Sequence, residues 1–275
     1  MVSPHHIKYA GVSSNELGMI DLVMCAALDS DNGEINTYLN RSAVQSESHD
    51  GRYKPTVRYK YDEVFAPKFT FLKKGFGDFS IDEVRILLKY LTSKDTTALL
   101  EVFYDDSNVV SWAAIGGWTE INLQKLANNR TIGVTAIFSA VHPFALSDIY
   151  TVTKTITSTD NKITINIDTD DNQPVCPRIT IREKSTGVKF ANKHTDFFNQ
   201  SKSYISTELT GNNSGETIVV DGTNKIISSS RINRIFGDEF NWMWLELYDG
   251  KNEITIEGNC EVTFEWREPR KIGEW

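Results

Sequence analysis

From residue 149 to the end of the chain, apolar residues return at every second position, and no stripe repeats every third or fourth. The runs are TVTKTITS (151–158), KITINIDTD (162–170), RITIRE (178–183), YISTELT (204–210) and ETIVVDGTNKIISS (216–229). A period of two puts alternate side chains on opposite faces of an extended strand. Each strand then has one face to bury and no helix to bury it under. Short strands of this kind, with turns between them, pack sheet against sheet, so a β-sandwich is expected here.

The first half reads differently. YKPTVRYK (53–60) and KFTFLKK (68–74) alternate as strands. They are followed by FSIDEVRILLKYLTSKD, where Ser80 and Glu83 stand at capping-box spacing. Ile81, Val84, Leu87, Leu88 and Leu91 recur at helical spacing, which predicts a helix over 81–92 with one buried face. Strands are predicted at 98–104, 108–115 and 131–140, with Asp105-Asp106-Ser107 as a turn between the first two. HPFALSD (142–148) is the expected seam, because Pro143 and the residue before it resist regular structure. The reading is two domains, 1–147 and 148–275.

The closing stretch NWMWLELYDGKNEITIEGNCEVTFEWREPRKIGEW (241–275) raises a question of register. Asp221-Gly222 and Asp249-Gly250 are dipeptides that favour hairpins. A two-residue loop at Asp249-Gly250 would set Tyr248 opposite Lys251, Leu245 opposite Ile254 and Met243 opposite Ile256. The apolar members would share one face, and Trp242 and Trp244 would lie on the other with Glu246 and Tyr248. At Gly258-Asn259 a three-residue loop would put Val262, Phe264 and Trp266 with the isoleucines, and a two-residue loop with the tryptophans. The first is the preferred reading. Trp242, Trp244 and Tyr248 then form a surface that needs cover, from protein or from a sugar ring, or that stays exposed.

Chemistry is sparse. No phosphate-cradling loop, dinucleotide fingerprint, nucleophile elbow or H-E-x-x-H helix is written in the chain. His5 and His6 are expected in an N-terminal tail, and His49, His142 and His194 lie far apart. Cys25, Cys176 and Cys260 are odd in number and unpaired by spacing, which suits buried thiols rather than a disulfide or zinc site. Asp168-Thr169-Asp170-Asp171-Asn172 opens like a calcium loop. Gln173 then replaces the turn glycine and Ile179 the bidentate glutamate, so a solvated turn is expected. No metal, cofactor or catalytic residue is assigned. The N-x-[ST] triplets at 40–42, 129–131, 199–201 and 212–214 carry no meaning without a secretion signal, and MVSPHHIKYAGVSS does not read as one. No apolar run reaches the roughly 20 residues a bilayer needs, so no membrane partner is expected. The 37 acidic and 29 basic residues give a net charge of −8, with no Lys/Arg block, which argues against stable nucleic-acid binding.

The chain resembles the distal tail proteins of long, flexible-tailed bacteriophages (the Dit family), in the variety found in phages of Gram-positive hosts. The resemblance rests on the ordered succession YDEVFAPKFTFLKKGFGDFSIDEVRILLKYL, the acidic YDDS turn, the aromatic strand SWAAIGGW and the HPFA exit. ITIREKSTG and FNWMWLELYDGKNEITIEGNCEVTFEWREPRK complete it. The loop ESHDGRYK (47–54) departs from the glycine-rich turn of many relatives, and no role is placed on it. No module is inserted between the domains, unlike the enlarged form that carries its own carbohydrate-binding domains.

The resemblance implies a tail-tube-like β-sandwich or barrel with a flanking helix, then a galectin-like β-sandwich. It implies six copies in a ring at the distal end of the tail, in a virion assembled in the host bacterial cytoplasm. Tail tube would lie on one side, and tail-tip hub and receptor-binding proteins on the other, with DNA passing through transiently. A chain without catalytic motifs, with spare aromatic surface and acidic balance, suits that work. The rivals are a lectin-like adhesin stacking sugar on Trp242, Trp244 or Tyr248, and a cell-wall hydrolase with two opposed carboxylates.

Overall fold

The computed structural model describes residues 4–17, 22–27, 41–45, 57–61, 65–73, 77–105, 108–126, 129–171, 173–184, 186–195, 201–204 and 206–270. The loop 47–54, the first half of the strand predicted at 53–60, His49 and two of the three residues of the Asp105-Asp106-Ser107 turn lie outside them. The chain divides into two compact units between Ser147 and Asp148, the second running from Asp148 to Arg270.

The first unit holds β1 (His6–Tyr9), β2 (Val12–Ser13), β3 (Leu22–Ala27), β4 (Arg41–Gln45), β5 (Val57–Tyr61) and β6 (Lys68–Lys73). Helix α1 (Ile81–Leu91) is followed by β7 (Ala98–Phe103), β8 (Trp112–Lys125), β9 (Thr131–Ala140) and β10 (Ala145–Leu146). The main sheet is antiparallel in the order β2-β1-β7-β8-β9-β6-β3, with β10 on β8, and β4 and β5 pair separately. Among the described residues it is an open sheet, not a closed barrel. His6 belongs to it rather than to a tail, and the His5 amide just before it donates to Phe103 O at 2.7 Å. His6 begins β1 opposite Phe103 and stacks on that ring at 4.2 Å.

The capping box forms as the sequence predicts. Ser80 Oγ accepts from the Glu83 amide at 3.2 Å, and Glu83 Oε2 accepts from the Ser80 amide at 2.7 Å. The buried face is narrower than the apolar stripe. Leu87, Tyr90 and Leu91 enter the core, but Ile81 is 87% exposed. The Tyr90 hydroxyl ties the helix to the sheet edge, accepting from the Tyr9 amide and donating to Val12 O, each at 3.1 Å. Trp118 stands edge-on to Phe138 at 5.2 Å and Phe69 at 5.3 Å in the same core. β8 departs from the strand predicted at 108–115. It starts at Trp112 rather than 108 and runs to Lys125, with a bulge between Thr119 and Asn122. β7 pairs with it only as far as Gly116.

The second unit holds β11 (Tyr150–Ile156), β12 (Lys162–Ile167), β13 (Arg178–Glu183), β14 (Gly187–Thr195) and β15 (Ser201–Ser203). β16 (Thr207–Thr210), β17 (Thr217–Asp221), β18 (Ile226–Ser229), β19 (Gly250–Glu257) and β20 (Cys260–Trp266) follow. They form two antiparallel sheets, β11-β20-β13-β17-β18 and β12-β19-β14-β15, with β16 also on β14. Ile163, Ile165 and Ile167 of β12 face inward and meet Ile179, Ile181, Val262 and Phe264 of the other sheet in one core. Phe190 crosses that core edge-on to Phe264 at 6.0 Å. This is the sandwich the period of two demands.

Candidate contact surface of the second unit

Residues 241–248 do not form the predicted hairpin with β19. That strand sits between β12 and β14, with Ile254 opposite both Ile163 and Asn192. Leu245 therefore does not face Ile254, nor Met243 Ile256. Gly250 does take the positive φ (95°) that an Asp-Gly step favours, but the turn is closed by a side chain. Asn252, fully buried, accepts from the Tyr248 amide at 3.0 Å and donates to Tyr248 O at 2.7 Å and Gly250 O at 3.1 Å. Val262, Phe264 and Trp266 do share a core with Ile254 and Ile256, as the longer loop at Gly258 would require. They do so from the opposite sheet, not from a neighbouring strand.

What holds 240–244 is Asn241. Its backbone amide donates to Glu208 O, and its Nδ2 donates to Ser206 O at 2.7 Å. Its Oδ1 accepts from the Glu208 and Met243 amides, both at 3.1 Å. The segment is thereby fixed beside β16, with Phe240 buried as its anchor. Trp242 and Trp244 flank that one ring, edge-on at 5.5 and 5.2 Å. Trp242 is 56% exposed and its backbone is left-handed, with φ 58°. Its indole N–H donates to Gly237 O at 3.1 Å. Trp244 is half-buried against the core and carries the Lys225 ammonium 5.3 Å from its ring centre.

Tyr248 belongs to a different group. It stacks on Tyr204 at 4.2 Å, lies 5.4 Å from the His194 ring, and bonds Glu246 Oε2 through its hydroxyl at 2.5 Å. Burial, then the hydrogen bond to Glu246, push that phenol well above its ordinary range, so it stays protonated. The three sequence-picked aromatics therefore split. Two share Phe240, and one is covered from within by other rings. Leu245 and Leu247 face inward, while Met243, predicted inward, is 43% exposed. The sequence reading passed over Ile232 and Ile235, at 91% and 86% exposed the most open large apolar residues among those described in the unit. Their spacing of three in RINRIFG carried no strand period to single them out.

The other candidates resolve into structure. His194 is buried, with Nε2 2.6 Å from Asp249 O. Cys176 is half-buried, with its sulfur 3.4 Å from the Lys225 ammonium, and Cys260 is buried; the side chain of Cys25 lies outside the described residues. In the calcium-like loop Asp168 pairs with Arg270 at 2.7 Å, and Asp171 accepts from the Gln173 amide at 3.2 Å. Asn172 lies outside the described residues, and among those described no cluster of three or more metal-binding side chains occurs. No described helix is long and apolar enough to cross a membrane.

Residues 144–266 match the family model described as phage tail C-terminal domain. The sequence matches none of the curated proteins. Among solved structures, the Dit protein of phage SPP1 is similar with a TM-score of 0.59 at 11% identity, over 96% of this chain and 98% of that one. That protein is described as a paradigm of the hub adsorption apparatus in phages infecting Gram-positive hosts. A Cry1Da tryptic core variant from Bacillus thuringiensis aligns over 98% of this chain and 52% of its own, at 9% identity and a TM-score of 0.23, too low to show a shared fold. Residues 144–266 thus match a phage tail C-terminal domain, and the fold of the chain is similar to that of a Dit protein along nearly its whole length.

Proposed function

We propose that this chain is a structural part of a phage tail tip that works as distal tail proteins do. Six copies form a ring between tail tube on one side and tail-tip hub and receptor-binding proteins on the other, leaving an opening for DNA. The observation that carries this reading is the extent of the likeness. Both units, in order, follow a protein described as hub adsorption apparatus, with almost nothing of either chain left over. The phage tail domain match supports the tail location. In this reading the first unit, within residues 1–147, makes the ring, the second is galectin-like in shape, and no covalent chemistry is performed.

A ring needs two different complementary patches on each copy. The stretch of β8 beyond Gly116, which β7 leaves unpaired, offers backbone groups that a strand of the next copy can complete. Size-exclusion chromatography with mass detection, followed by negative-stain imaging, tests the proposal. A six-fold annulus is the expected result, and a monomer at high concentration overturns it. A carbohydrate-binding role would rest on Trp242, because Tyr248 is covered by Tyr204 and Trp244 by Lys225. Titration with host cell-wall polysaccharide that leaves the Trp242→Ala variant and the wild type alike removes that rival.

A further inference from the structure

In the second unit the chain leaves β18 at Ser229 and enters an exposed segment. Between Ser230 and Ile235 every residue but one is exposed, and Asn233 is left-handed, with φ 61°. The exception is Arg234, whose side chain is 3% exposed. Its Nη1 meets Glu216, itself 1% exposed, and its Nη2 donates to Asn212 Oδ1 at 2.9 Å, Glu239 Oε2 at 3.0 Å and Thr210 O at 3.1 Å. The guanidinium carbon lies 4.7 Å from the Phe236 ring centre. Glu216 also accepts from Ser229 Oγ at 2.5 Å and the Asn213 amide at 3.0 Å, with Arg231 at 3.8 Å. Gly211 leaves the room this needs, since a Cβ there would stand 2.2 Å from Glu239 Oε1.

Nothing apolar holds the segment down. Ile232 and Ile235 bury almost no surface, and the chain is anchored again at Phe236 and Phe240, both in the core. We propose that the Arg234–Glu216 pair is a latch: it fixes residues 230–235 against the sandwich, and breaking it frees that segment while both sheets stay closed. The arrangement gives the segment two states, fixed and open, governed by the buried Arg234–Glu216 pair and the groups bonded to it rather than by the core. Removing one member of a buried pair leaves the other charged and uncompensated, so opening follows steeply. Burial raises the Glu216 carboxyl, but the hydrogen bonds from Ser229, Asn213 and Arg234 outweigh it. The group is held below the ordinary carboxylate range and stays ionised at neutral pH.

Hydrogen exchange read by mass spectrometry on the full chain tests this. In the closed state the Ser230 amide bonds Thr217 O and the Arg231 amide bonds Ser229 Oγ. In Arg234→Met, exchange at the Ser230 and Arg231 amides, the bonded ones of 230–235, should quicken by roughly 100-fold or more, with β13 and β20 unchanged. Unchanged exchange at 230–235 overturns the proposal, and so does equal loss of protection in β13 and β20. Should Arg234→Met not fold, Glu216→Gln keeps both arginines and gives the second readout. Trypsin should cut after Arg231 at least about tenfold faster than in wild type. An unchanged rate there refutes the latch.

Discussion

Trp242 combines exposure with a left-handed backbone, and the two together make a measurable claim about strain. An L-residue in that region costs about 1–2 kcal/mol, and Trp242 sits at φ 58°. Replacing it with alanine keeps the strain and removes two contacts. The edge contact to Phe240 is worth about 0.5–1.5 kcal/mol, and the hydrogen bond to Gly237 O, being exposed, lies at the low end of about 0.5–1.5 kcal/mol. Trp242→Ala should therefore cost about 1–2 kcal/mol. Glycine removes the same contacts but relieves the strain, at about 0.4–1 kcal/mol of added freedom in the unfolded chain. Trp242→Gly should then be more stable than Trp242→Ala by about 0.5–1 kcal/mol. Urea unfolding followed by far-UV circular dichroism reads this as a higher midpoint for glycine at equal m. Alanine equal to or above glycine would refute the claim that the position is strained. If the difference appears, the wild type holds a bulky ring in a costly conformation where most of it faces solvent, and strain of that kind is kept where a side chain has work outside its own fold.

The other expectations concern the two sheets and the latch. Gly116→Ala places a Cβ 2.1 Å from Ser139 O and 2.8 Å from the Ala140 Cα, both backbone. β8 and β9 must part, which should cost about 1–3 kcal/mol or more and lower the thermal midpoint of the first unit. A variant as stable as wild type would contradict this close approach. Because the folded-state pKa of Glu216 lies below its ordinary value of 4.5, its contribution is fully present above that value and is lost as pH falls through the depressed one. Protection at 230–235 should accordingly collapse on acidification in wild type and change little in Glu216→Gln, and parallel curves for the two would break the link. Glu268 has the opposite sign. Burial raises its carboxyl, so its share of stability falls as pH rises through the raised value.

Much of the fold was legible because its strands obey one simple rule. RITIRE is β13 residue for residue, β9 spans the predicted 131–140, and the capping box starts α1 where Ser80 and Glu83 place it. β14 escaped notice because polar residues occupy two of its inward positions. Asn192 and His194 are buried there and bonded to Glu246 O and Asp249 O, and such a strand shows no apolar alternation to read. The Asp221-Gly222 hairpin is real, but its loop spans Gly222 to Lys225, and the positive φ falls on Lys225. Ile81 was counted inward from helical spacing alone. Spacing gives the angle of a side chain around the helix axis, but not where along the helix the sheet ends.

The failed hairpin at Asp249-Gly250 shows where such reading stops. Alternation says which residues of a strand share a face, and it is indifferent to whether the neighbouring run lies beside it or across the core. Both arrangements put Ile254, Ile256, Val262 and Phe264 in one apolar cluster, so the pattern could not choose between them. The choice is made by polar groups the pattern ignores. Asn252 closes the 248–250 turn on itself, and Asn241 binds the tryptophan segment to β16. β19 is left free to pair with β12 and β14. The same two asparagines decide what this unit shows to the outside. By drawing 240–244 toward β16, Asn241 sets Phe240 inward and leaves Trp242 exposed beside it. An aromatic surface that looked like the back of a hairpin is instead the outer side of a side-chain-bonded loop, and its exposure follows from hydrogen bonding rather than from a surplus of apolar residues.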